Sequence, residues 1–191
     1  MEILDLIKNT RSYRIFDETF KVSKSDLNDM VNCARLGSSG RNQQSLKYIT
    51  VHDNKIGTQV FSMLKWAGYL KNWNRPSVGE RPTGYIIVLN DKKISENHFC
   101  DDGIALQNMM LCATSKGLGS CIIASVNKKA LSELLELSDD FQILYVLAIG
   151  KPAEEIVLEE MTENNHKYWR DEQDIHHVPK RSLDEVIIAE Y

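Results

Sequence analysis

A layered α/β domain, with helices on both faces of a central sheet of about four strands, is the fold class this sequence predicts. Three observations carry that expectation. Two runs, YIIVLN (85–90) and FQILYVLAIG (141–150), are continuously apolar, as strands covered on both faces are. Segments of helical period alternate with the strand-like ones, in the order α-α-β-α-β-α-β-α-β, followed by a charged arm and a last β segment. A chain of 191 residues, 42% hydrophobic and 26% charged, has the size and composition of one soluble domain with a substantial core.

Residues 2–9 form a short helix, because Ile3, Leu6 and Ile7 share one face. The second helix has a start signal, Ser23 with Asp26 three residues on. Its apolar positions are Leu27, Met30, Val31 and Ala34, and Gly37 supplies the stop. The polar loop SSGRNQQS leads into LKYITVHD, whose β-branched and aromatic residues suit a strand. Residues 55–71 carry a weaker helix through Ile56, Val60, Phe61 and Leu64, and NWNRPSVGERPTG is a loop. Residues 101–117, DDGIALQNMMLCATSKG, are apolar almost all round, which predicts a buried central helix. GLGSCIIAS turns into a strand, and Asn127 caps a helix bearing Leu131, Leu134 and Leu135. Residues 151–184 lack periodicity and read as an extended arm, after which LDEVIIAEY is an apolar strand segment. A strand at the end of such an arm makes sense if it embraces a second subunit.

The net charge of −4 and pI near 5.8 argue against nucleic acid, which favours a basic face. No apolar run approaches membrane-spanning length, and residues 1–9 lack the apolar core of a secretory leader. Cys33, Cys100, Cys112 and Cys121 form no CxxC pair, so reduced thiols in a cytoplasm are expected.

Several familiar chemistries fail on spacing. GLGSC lacks the third glycine of a dinucleotide fingerprint and opens a strand rather than a helix. It remains a glycine turn through which a flat ligand could approach backbone amides. HFCDD and the adjacent His176–His177 lack a second pair at metal-ligand spacing, so no metal is expected. No nucleophile elbow exists, and Cys112 and Cys121 lie in apolar contexts. What remains is three polar clusters: Arg11, Ser12 and Arg14 in NTRSYRIFDE; Ser38, Ser39, Asn42 and Gln44 in SSGRNQQS; and Lys180 with Arg181 in HHVPKR. Together they offer cations for an anion with several oxygens, and amides and hydroxyls for a polyol or a heteroaromatic edge. A carboxylate partner for Arg14, Asp17 or Glu18, is the competing reading. Trp66, Tyr69 and Trp73 could cover a planar ring.

These clusters resemble the FMN-dependent nitroreductase family. RSYRIF is similar to that family's R-S-x-R-x-F opening, and ARLGSSGRNQQSLKYITV to its helix–loop–strand pattern. GIALQNMMLCATSKGLGSC resembles its central helix and turn, and VPKRSLDEVI its basic pair before the last strand. The four motifs follow the family's order along nearly the whole chain. The resemblance implies a three-layer α-β-α fold with a mostly antiparallel sheet, built as one domain over residues 1–191. Residues 151–191 would be an arm whose terminal strand is exchanged in a homodimer.

It also implies that Arg11, Ser12 and Arg14 contact the FMN phosphate, ribityl chain and pyrimidine edge. Ser38, Ser39, Asn42 and Gln44 would come from the second subunit. Ile123, Ala124 and Ser125 would present backbone amides to the flavin, and Lys180 or Arg181 would complete the phosphate site. The implied activity is hydride transfer from NADH or NADPH through flavin N5 to a nitroaromatic, quinone or flavin, in a ping-pong cycle with no catalytic side chain. Reductive dehalogenation, flavin fragmentation and flavin storage are the implied alternatives. Ser38 replaces the family's usual proline and Ser45-Leu46 its Pro-Trp, so substrate preference does not carry over. The loop LKNWNRPSVGERPT (70–83) matches no motif with a role.

Overall fold

The computed structural model describes residues 2–70 and 73–191; the parts of the expected helix and loop at Lys71 and Asn72 lie outside the described residues, as does Met1. The chain begins with α1 (Ile3–Asn9), pinned by Thr10, whose hydroxyl bonds Leu6 O (2.7 Å) and Thr114 Oγ1 (3.0 Å). A two-residue strand, β1 (Phe16–Asp17), precedes α2 (Lys24–Arg35). The expected capping box closes α2: Ser23 Oγ accepts from Asp26 N, and the Asp26 carboxylate accepts from Ser23 N. A 3-10 turn (Gly40–Asn42) leads to β2 (Leu46–Val51) and to α3 (Asn54–Ser62), capped by Asp53. Then come β3 (Gly84–Asp91), α4 (Asp101–Ser115) and β4 (Gly119–Ile123). Helix α5 (Lys128–Leu134), capped by Asn127, leads to β5 (Phe141–Pro152). The arm carries β6 (Ile156–Glu160), β7 (Trp169–Arg170), β8 (His176–Lys180) and a single helical turn, α6 (Leu183–Val186).

The central sheet is antiparallel throughout. Strand β3 pairs with β2 and β5, and β5 also pairs with β4 and, at its far end, with β1. Alternation along β3 explains the layers. Ile86 and Val88 enter one core with Leu27 and Met30 of α2 and Leu106 and Met109 of α4. Tyr85, Ile87 and Leu89 enter the opposite core with Val60 of α3 and Leu131 of α5. Helices therefore cover both faces of the sheet, giving the expected three layers.

Four expectations need correction. Helix α3 stops at Ser62, because Lys65 N bonds Ser125 O (3.0 Å) and Leu64 bridges to Val126 instead of continuing a turn. Helix α4 is not covered all round in the single chain: Gly103 and Gln107 are exposed, and Ile104 and Leu111 half-buried. The arm is not merely extended, since β6 pairs parallel with β8, and β7 antiparallel with β8, in a second small sheet. LDEVIIAEY forms no strand within one chain; Ser182 and Glu185 cap it as a helical turn, after which residues 187–191 are irregular.

Candidate functional site

The segment from Arg11 to Arg14 crosses from α1 to β1 against the start of β4. Ser12 forms a bridge with Ser120, and Tyr13 N donates to Ser120 O (3.0 Å). The far side of the segment is held by Glu154, whose carboxylate accepts from the backbone N–H groups of Arg14 and Ile15. Glu154 is buried and also pairs with Arg170, while His176 Nδ1 lies 3.7 Å away. Burial alone would raise its pKa, but His176, the Arg14 amide and Arg170 together hold it below the ordinary glutamate value.

Both arginine side chains are fixed by carbonyls. Arg11 donates to Ile7 O (2.7 Å), and Arg14 donates to Ser12 O (3.0 Å) with its guanidinium 4.5 Å over the Tyr168 ring. Neither forms an ion pair with a carboxylate among the described residues. The competing partners are committed elsewhere, Asp17 to Thr19 and Glu18 to Gly79 N. Burial lowers the pKa of Arg11, with Tyr13 acting in the opposite direction. Its Nε, like both ring nitrogens of His176, is buried without a hydrogen-bond partner.

Two cavities meet at Arg14. One, of about 270 Å³, is lined by Arg11, Ser12, Arg14, Ile122, Tyr168, His176 and Lys180. The other, of about 160 Å³, follows β4 past Ile122, Ile123, Ala124 and Ser125 to Lys65 and Trp66. Arg14, Ile122 and Tyr168 wall both. Of the basic pair, Lys180 lines the first cavity, whereas Arg181 turns away to Glu185 (3.1 Å) and Asn164 (2.6 Å).

Ser38, Ser39 and Gln44 lie elsewhere in the single chain, along a groove of about 330 Å³ between α2 and β2. Ser39 Oγ donates to Asp101 (2.6 Å) and accepts from Gln44 N (3.0 Å), and Gly40 N also bonds Asp101 (2.8 Å). Arg41, Asn42 and Gln44 all have positive φ, so this loop is wound tightly around the Asp101 carboxylate.

The glycine turn is used differently from the expectation. Gly117 takes φ +69°, as a left-handed helix end requires. At Gly119, a Cβ would lie 2.7 Å from both Tyr13 and Pro152, so the missing side chain admits protein rather than a ligand.

Residues that sequence reasoning missed all come from the arm. Tyr168, His176, Glu154 and Arg170 form one packed set, with Tyr168 edge-on to His176 at 5.3 Å. The adjacent histidines diverge because strand neighbours face opposite ways: His176 points inward, and His177 lies between Glu159 (3.0 Å) and Asp171 (3.1 Å) on the other face. The loop before β3 is tied to the same arm. Tyr69 packs on Tyr168, Trp73 lies under Arg170, and Arg75 pairs with Glu80 and Asp174. No group of three His, Cys, Asp or Glu side chains among the described residues could hold a metal ion. No helix among them is long and apolar enough to cross a membrane.

Comparison with known proteins gives a consistent picture. The profile of the Nitroreductase family matches residues 7–151. A protein of Archaeoglobus fulgidus, provisionally named an NADH dehydrogenase/NAD(P)H nitroreductase, is 25% identical, with 81% of this chain and 87% of that protein covered. The FMN reductase (NADPH) of Bacillus subtilis is 23% identical, covering 78% of this chain and 66% of its own length. Among solved structures, a provisionally named nitroreductase of Exiguobacterium sibiricum in complex with FMN superposes with a TM-score of 0.68. It is 17% identical, with 81% of this chain and 90% of that one covered, and so speaks to the fold.

Proposed function

This chain belongs to the nitroreductase family, and we propose that it is an FMN-dependent oxidoreductase that passes hydride from NADH or NADPH to a small acceptor. The acceptor class is a nitroaromatic, a quinone or a flavin. The observation that carries the reading is the cation-lined cavity joined, at Arg14, to a second cavity along β4. The relative named for FMN reduction with NADPH supports the choice of cofactor and reductant.

The residues fit such a group. Arg11 is half-buried, without a carboxylate partner and with a buried, unused Nε, and Lys180 shares its cavity; both suit a phosphate monoester. Ser12 would serve the polyol, and Arg14, at the junction, the electron-rich pyrimidine edge. Ile123, Ala124 and Ser125 would offer backbone groups farther along β4. Arg181, engaged by Glu185 and Asn164, is the weaker candidate of the basic pair.

FMN, when bound, supplies the two-electron chemistry, accepting hydride from the nicotinamide and passing it to the acceptor. The chain holds and orients it, and the fixed guanidinium of Arg14 favours negative charge developing near the junction. No side-chain acid or base is assigned. Tyr69 packs on Tyr168, and Trp73 and Arg75 engage Arg170 and Asp174 of the same arm, which would give residues 73–83 a part in shaping the acceptor space.

The working unit in this reading is a cytoplasmic homodimer of single-domain subunits, with residues 151–191 reaching the partner. The Ser38, Ser39, Asn42 and Gln44 loop would then complete the site from the second subunit. Support comes from the separation of that loop's groove from the Arg14 cavities within one chain, and from Ile3, Leu4 and Ile188 exposed on α1 and the tail.

Anaerobic mixing of the FMN-loaded protein with NADH and with NADPH tests the activity. Bleaching of the flavin within seconds by one of them, and its return on adding an acceptor, is expected. A bound flavin that neither nicotinamide bleaches would refute the oxidoreductase reading and leave a flavin-binding protein.

A further inference from the structure

The larger Arg14 cavity holds three cations. Arg11, Arg14 and Lys180 can only donate. Thr10 also lines it, but its hydroxyl is engaged with Leu6 and Thr114. Ser12, Gln107 and Tyr168 bring oxygens that can accept, and His176 brings a ring. The histidine is 1% exposed, and neither ring nitrogen has a hydrogen-bond partner. A buried, unpartnered polar ring in a ligand-sized cavity requires an explanation.

The surroundings decide which nitrogen is available. Nδ1 is turned toward the ionised carboxylate of Glu154, 3.7 Å away. The tautomer that suits an adjacent anion carries its proton on Nδ1, which leaves the lone pair of Nε2 as an acceptor. Tyr168, edge-on at 5.3 Å, fixes the ring plane, and Tyr168 is itself held by the Arg14 guanidinium. Glu154 is anchored in turn by Arg170 and by the Arg14 and Ile15 amides.

We propose that His176 Nε2 accepts a hydrogen bond from a ligand hydroxyl, so that the cavity selects a polyol phosphate over a bare phosphate. The inference rests on the FMN reading, in which the hydroxyl belongs to the ribityl chain. His176 is then a binding residue for the sugar-alcohol segment, Glu154 positions it, and Arg11 with Lys180 takes the phosphate. Three ligands separate these parts: FMN, riboflavin, which keeps the hydroxyls without the phosphate, and lumiflavin, which has neither.

Flavin fluorescence titrations of wild type, His176→Phe and His176→Gln test it. The phenyl variant should bind FMN and riboflavin about three- to tenfold more weakly, by equal factors, with lumiflavin unchanged. The Gln variant, whose amide oxygen can accept, should return to within about twofold of wild type. A loss confined to FMN would assign His176 to the phosphate and overturn the proposal. An equal loss for lumiflavin would reduce it to packing, and no loss at all would remove the contact. If His176→Phe fails to fold, His176→Leu takes its place in the same titrations, and the same outcomes support or overturn the proposal. Wild type that binds none of the flavins would refute the FMN reading itself, a result distinct from every variant effect.

Discussion

Replacing Glu154 with Gln removes one charge from the point where the arm, the Arg11–Arg14 segment and the cavity wall converge. The carboxylate is 1% exposed and its partner Arg170 7%. Removing one partner of a buried pair costs about 3–5 kcal/mol. Two features reduce that here: Gln still offers an oxygen to the Arg14 and Ile15 amides, and Arg170 keeps Asp174 O (2.8 Å) and its carboxylate (3.2 Å). A loss of about 3 kcal/mol follows, or a fall in Tm of about 6–12 °C for a chain of this size. The pH dependence has a definite sign. The folded pKa is depressed, so the charge contributes fully above the unfolded glutamate value of about 4.3 and progressively less as pH falls below it. Thermal melts of wild type and Glu154→Gln should therefore differ most near pH 7 and converge below about pH 4. A gap under about 2 °C at pH 7, or one that stays constant down to pH 3, would refute the reasoning.

Arg11→Ala should weaken FMN binding about tenfold to a hundredfold while leaving riboflavin nearly unaffected; a fall in stability without any change in the FMN-to-riboflavin preference would assign Arg11 to the fold. His177 has its pKa raised, chiefly by Asp171 and with Glu159 assisting against desolvation. The small sheet should therefore be best protected below about pH 6.5 and lose amide protection as pH rises through the higher folded value, a dependence that His177→Gln should flatten. Deleting residues 183–191, whose Leu183, Val186 and Ile188 are exposed and which bury nothing within one chain, should lower dimer affinity in sedimentation without shifting the monomer's circular dichroism.

Local signals were readable in the sequence wherever the physics is local. Ser23 with Asp26, and Asn127, cap the helices they precede, and the apolar runs of β3 and β5 lie at the centre of the sheet. Strand β1 was invisible because two residues have no period; it exists because Phe16 packs against Gly150, where no Cβ intrudes. The arm's fold was equally hidden. Its small sheet is held by His177 with Glu159 and Asp171, and by Arg170 with Glu154, partners up to 18 residues apart that a charge count cannot pair. At the site, Arg11 and Arg14 stood out as two cations without a reason. Tyr168 and His176 did not, because an aromatic in a polar stretch and a His–His pair look like solvated loop until β8 turns one histidine inward.

Calorimetric titration of FMN into the flavin-free protein, with riboflavin as the parallel ligand, tests the central claim most directly. One FMN per protomer and at least about tenfold weaker binding of riboflavin are expected, from the loss of the charge-assisted contacts at Arg11 and Lys180. No detectable FMN binding, or FMN and riboflavin bound equally, would contradict that claim.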